Sequence, residues 1–120
     1  MATPALTAEK IEELRALHGR IEVVEGRKPA ATAGNPDPAT PWAVVYKKPS
    51  RATYKRFRAM SHRPESIADA QEMLARACCV WPETAAGFDA LLEDFPGIPE
   101  GSGKALGDLA GMSADETGKL

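Results

Sequence analysis

Between residues 26 and 41 the chain reads GRKPAATAGNPDPATP, with two Gly and four Pro in 16 residues. Proline fixes φ and lacks an N–H, so this stretch can neither extend a helix nor join a sheet ladder. Regular structure must therefore be built on either side of it. Upstream, Arg20–Glu25 (RIEVVE) is short and β-branched; downstream, Trp42–Lys47 (WAVVYK) is apolar and β-branched. Two such runs around a turn-rich segment predict an antiparallel hairpin, with residues 26–41 as its long flexible tip. A two-stranded hairpin is marginal alone, so helices must cover its apolar face.

Helical signals surround the hairpin. Thr7 is a good N-cap for TAEKIEELRALHG, with Glu9 in the first turn and Gly19 as the stop. Ile11, Leu14 and Leu17 form a narrow apolar stripe by which this helix docks. His18 in the last turn suits the helix dipole better than it suits a metal. After Pro49, Ser50 caps a helix to about Ser61 with Tyr54, Phe57 and Met60 along one side. A further helix runs from Pro64 or Ser66 to Trp81, where Pro82 ends it. Its Ile67, Ala70, Leu74, Ala77, Cys78 and Trp81 follow the spacing of a buried face. Thr84 caps the next, with Ala85, Phe88, Leu91, Leu92 and Phe95, closed by Pro96-Gly97. A last short helix spans Ser102 to about Gly111, and SADETGKL reads as a mobile tail. The order predicts a single small α+β domain over residues 1–120: an N-terminal helix, a hairpin, then about four short helices, with most of the core in residues 42–111.

Size and composition narrow the function classes. A chain of 120 residues allows one domain. Its longest apolar runs, Trp42–Tyr46 and Ala77–Trp81, are too short to span a bilayer. The start, MATPALTAEKIEEL, shows no secretory signal pattern. Cys78 and Cys79 are neighbours in what reads as a helix, where their side chains diverge by about 100°. That geometry disfavours a disulfide between them, and two adjacent thiols without further Cys or a His cluster make no zinc site. A reducing cytoplasm is the expected location.

Catalytic constellations are missing from the sequence. EGSGKALG (Glu100–Gly107) resembles a phosphate loop only superficially, because Ile98 and Ala105 stand where that motif needs Gly and Ser or Thr. Glu83, Asp89, Glu93 and Asp94 read as a solvated helix face. No Ser or Cys has a His at a recognisable offset. The expectation is a non-enzymatic protein without cofactor or metal.

The informative feature is charge segregation. Residues 1–46 carry −1, residues 47–63 carry +7 with no acid, and residues 64–120 carry −8, cancelling to the net −2. Within the basic block, Arg51, Lys55, Arg58 and His62 fall at i, i+4, i+7 and i+11, one stripe on one helix. Like charges at i, i+4 oppose helix formation by a few tenths of a kcal/mol each, so something acidic should offset them. The acidic helices after residue 64 could do so within the fold, an acidic protein partner could do so from outside, or nucleic acid could bind. The last is disfavoured by the few aromatics available to stack and by the acidity of the remaining chain. As a partner surface the basic face comprises Lys47, Lys48, Arg51, Lys55 and Arg58. Trp42, Tyr54 and Phe57 lie near it in sequence as apolar contacts, although for each of them taken separately core is the better reading. The open edges of the hairpin could pair with another copy.

The stretch VVYKKPSRATYKRFRAMS, then a helix ending ACCVWP, then FDALLEDFPGIPEGSGKALGDLAG resembles the small tail assembly chaperones of tailed bacteriophages. The shared pattern is a strand ending in a basic-x-Pro turn (Lys47-Lys48-Pro49) and a helix with a Tyr/Phe pair (Tyr54, Phe57). It continues with a Cys-Val-x-Pro segment (Cys79–Pro82), a helix leading to Pro96-Gly97, and a short helix closing on Leu109-Ala110-Gly111. It covers about residues 42–111; residues 1–41 carry no family mark. The resemblance implies a non-enzymatic protein of the bacterial host cytoplasm, made during virion assembly of a phage or prophage. It would bind the tape measure protein, keep it soluble and help recruit tail tube subunits. The alternatives are a structural component retained in a tail or tail-like particle, and a small nucleic-acid-associated protein using the basic helix 50–61.

Overall fold

A computed structural model describes residues 6–111. Its order is α1 (Ala8–His18), β1 (Ile21–Glu25), β2 (Ala43–Lys47), α2 (Arg51–Ser61), α3 (Ile67–Cys78), β3 (Cys79–Trp81), α4 (Ala85–Asp94), α5 (Ile98–Gly101) and α6 (Gly103–Leu109), with a 3₁₀ turn at Pro64–Ser66. The small α+β architecture is as expected. Residues 112–120, expected to be a mobile tail, lie outside the described residues.

The helix starts follow local chemistry. Thr7, Ser50 and Thr84 each cap a helix, their hydroxyls accepting the N–H of Lys10, Thr53 and Gly87 at 3.1, 3.1 and 3.0 Å. Gly19 closes α1 at φ 77°, a conformation other residues rarely adopt, and donates to the Arg15 carbonyl. The hairpin forms in antiparallel register, Ile21 opposite Lys47 and Glu25 opposite Ala43. At its open end the Gly26 N–H donates to the Trp42 carbonyl at 2.9 Å. A Cβ on Gly26 would stand 2.5 Å from the indole nitrogen of Trp42, so only glycine fits there.

The expected buried face of α3 fails at Ile67 and Ala77, both of which are exposed, and two further expectations need correction. The helix expected to reach Trp81 stops at Cys78, and Cys79–Trp81 form a third strand antiparallel to β2, giving sheet order β1-β2-β3. The physical reason is Pro82: its ring excludes the helical conformation from the residue before it, and Val80-Trp81 is a β-branched and aromatic pair. Cys78 therefore ends a helix and Cys79 begins a strand, so the pair does not share a helix. The second correction concerns the α1 stripe. Leu14 is buried and Ile11 half-buried, but Leu17 is 69% exposed, so only the first part of α1 docks.

Both faces of the sheet are covered, which explains why Val44, Val45 and Tyr46 are all fully buried. Alternation sends Val45, with Ile21, Val23 and Trp81, toward Leu6, Ile11 and Leu14 at the α1 layer. It sends Val44 and Tyr46 into the main core with Leu74, Cys78, Phe88, Ile98, Leu106 and Leu109. Two ion-pair clusters tie the layers together. Lys10 of α1 pairs with Glu83 and lies 5.8 Å from the Trp81 ring centroid. Arg76 of α3 reaches Asp89 of α4 at 2.7 Å and lies over Phe88 at 5.3 Å.

One polar chain crosses the main core. Ser102, fully buried, donates to the Ile98 carbonyl at 2.7 Å, which uses its only proton. The Tyr46 hydroxyl 2.7 Å away must then donate to Ser102 Oγ. This direction makes the two deletions unequal. Ser102→Ala leaves a buried phenol without an acceptor and is expected to destabilise by about 1–3 kcal/mol. Tyr46→Phe removes the donor and leaves the Ser102–Ile98 bond in place, so a loss of about 1 kcal/mol or less is expected. Urea unfolding of both variants measures the difference; a larger loss for Tyr46→Phe would reverse the assignment.

Candidate functional site

The basic block folds into a turn and a helix held by a local cap and by half-buried side chains. Lys48 and Pro49 form the turn, Ser50 caps, and α2 has no fully buried residue. It rests on α3 through the half-buried Tyr54, Phe57 and Met60, with Phe57 reaching the main core. The first turn of α2 has no acid and begins with Arg51, the wrong charge for the helix dipole.

The exposed side of α2 borders an open groove of about 470 Å³. Lys48, Arg51, Lys55 and Arg58 line it together with Tyr54, and Ala110 at the end of α6 forms the facing wall. Four cations thus converge on one depression. Among the described residues, none of the seven basic side chains of 47–63 makes an ion pair. The acids that were candidates to neutralise them are engaged elsewhere or stand apart: Glu72 and Asp89 on Arg76, Glu83 on Lys10, Asp108 on Lys104. Internal neutralisation of the stripe is therefore absent among the described residues. The geometry explains why. Gln71 and Leu74 turn one face of α3 toward α2, whereas Glu72 and Arg76 turn another toward Asp89 and Glu93 of α4.

The structure sorts the remaining sequence-derived residues. Lys47, half-buried, lines a separate depression of about 210 Å³ with Lys48, Thr53 and Cys78, on the other side of the turn. His62 lies past the end of α2 and does not line the groove. Tyr54 lines the groove, and Phe57 stands beside it with ring centroids 5.7 Å apart. Trp42 is elsewhere: it packs against Phe95 at 6.4 Å and over Gly26, at the opposite end of β2 from the basic turn. Five strand residues separate the two ends by roughly 16 Å. The α6 wall escaped sequence reasoning, because residues 103–110 carry no charge or motif that ties them to residues 48–58.

Among the described residues no three His, Cys, Asp or Glu cluster as a metal site. No helix among them is long and apolar enough to cross a membrane. Burial pushes the thiols of Cys78 and Cys79 up to about 11, so neither is a ready nucleophile at neutral pH. Burial likewise pushes the Tyr46 phenol up to about 12.

Two outcomes follow for stability. Unfolded Tyr and Cys ionise near 10.0 and 9.0, below their folded values, so above those points unfolding releases protons. The stabilisation is complete below about pH 9 and is expected to vanish as pH climbs through about 11 to 12, read as a falling urea midpoint. The groove behaves oppositely to a structural ion-pair network. Changing Arg51, Lys55 and Arg58 together to Gln should raise stability by several tenths of a kcal/mol, through relief of like-charge repulsion and of the dipole mismatch. A clear drop in melting temperature would mean that these charges have partners inside the fold. No family model matches the chain, and no curated protein or solved structure proves similar to it.

Proposed function

We propose that the chain is a non-enzymatic protein-binding chaperone whose basic groove captures an acidic segment of a client protein. The observation that supports this is the convergence of Lys48, Arg51, Lys55 and Arg58 on one groove without an ion-pair partner among the described residues. Three like charges stand on a helix whose dipole already disfavours cations at its start, with Lys48 in the turn before it, and an anionic partner is the simplest offset. Local sequence choices that oppose the fold tend to mark functional surfaces. Protein is favoured over nucleic acid because the basic patch is small and borders an acidic remainder that repels a phosphate backbone.

Taken with the resemblance over residues 42–111, the client is the tape measure protein of a tailed phage or prophage, and the role is to hold it for recruitment of tail tube subunits in the host cytoplasm. Reversing Arg51, Lys55 and Arg58 to Glu is expected to abolish capture of a co-expressed tape measure protein while leaving helical circular dichroism unchanged. Capture that survives the triple reversal at physiological salt would remove the groove from the mechanism. Stoichiometric recovery of the chain from purified mature particles would turn the assignment toward a structural component.

A further inference from the structure

The basic groove does not end at its cations. Beside it lies a small apolar notch of about 70 Å³ between Tyr54 and Phe57 of α2, Leu74 of α3, and Gly103, Leu106 and Gly107 of α6. Tyr54 belongs to both depressions, so charge and apolar surface are continuous across one ring. The notch is open on its α6 side because glycine stands at i and i+4 there; a Cβ on Gly103 would meet nothing within 4 Å.

Resting on the protein-binding reading above, we infer that the groove takes an acidic amphipathic helix that seats one apolar side chain in the notch. An anion alone, such as a phosphate or a nucleic-acid backbone, would answer the cations and leave the notch empty. A peptide that binds by adding a strand would need a free sheet edge at the groove, and β2, which leads into it, is held centrally between β1 and β3. A helix meets both requirements. Carboxylates at i, i+4 and i+7 face Arg51, Lys55 and Arg58, which carry the same spacing, and an apolar residue on the adjoining face reaches past Tyr54. Charge sets where the helix lies, and the notch sets its register along α2.

The experiment uses the full chain and three fluorescein-labelled helical peptides, read by anisotropy. The first carries Glu at i, i+4 and i+7 with Leu on the adjoining face; the second replaces Leu by Ala; the third replaces the three Glu by Gln. The Leu peptide is expected to bind, the Ala peptide about tenfold more weakly, and the Gln peptide not measurably. Gly103→Leu fills the notch from a position with room for it, so it should bring the Leu peptide down to the Ala level and leave the Ala peptide unchanged. Equal binding of the Leu and Ala peptides to the unaltered chain overturns the notch and leaves the acidic-partner reading standing. Failure of both acidic peptides overturns that reading itself. Tighter binding of a short DNA duplex than of the Leu peptide overturns both. The comparison of peptides on the unaltered chain decides the matter even where Gly103→Leu folds poorly.

Discussion

The hydroxyl of Tyr46 is the constraint on which the rest of the arrangement hangs. Covering β2 on both faces leaves one phenol in a dry core, and a buried O–H without an acceptor costs more than the bond returns when made. Ser102 is the acceptor, and it is itself fixed by donating to the Ile98 carbonyl one turn earlier. That short polar chain sets the junction of α5 and α6 against the central strand. From that junction α6 brings Leu106 and Gly107 to the notch beside Tyr54 and Phe57, and Ala110 just past its end lines the basic groove. The groove is thus a consequence of how a single core hydroxyl is satisfied, although no residue of that bond touches it.

The helix on the other side of the groove is built at odds with its own electrostatics. α2 has cations where the dipole wants anions, no acid among its eleven residues, and no fully buried side chain. What holds it is the Ser50 cap together with half-buried aromatics laid on α3. By contrast, two cations elsewhere are paired with acids across elements. Arg76 sits between Glu72 and Asp89 and over the ring of Phe88, and Lys10 joins Glu83 above Trp81. The molecule therefore has one region where charge serves the fold and one where it does not.

Much of this was legible in the sequence where the signal is local. The three caps, the hairpin strands and the five-residue apolar run of β2 announce themselves through side chains a few positions apart. The end of α3 was also written locally, in Val80-Trp81-Pro82, but helical spacing through Trp81 masked it; the steric rule before proline wins over periodicity. Leu17 fits the α1 stripe by spacing and still faces solvent. Trp42 lies close to the basic block in sequence and is carried to the far end of β2 by the extended strand between them. The facing wall of the groove could not be read at all, since it depends on a contact between positions 46 and 102 that no pattern in either segment encodes.

The near-zero net charge hides this division, and the hiding has a physical origin. Exposed charges are screened over about 8–10 Å at physiological salt, so an approaching partner responds to the local set and not to the total. Four cations within one groove present a concentrated field, while the opposing acids are partly neutralised by Arg76 and Lys10 on other faces. In the proposed binding mode the two halves of the site then act on different quantities. The cations govern the rate of encounter and its salt dependence, whereas the apolar notch beside Tyr54 governs how long the partner stays. A surface of that kind engages readily and is released when either half is answered elsewhere, which is the behaviour a transient assembly factor requires.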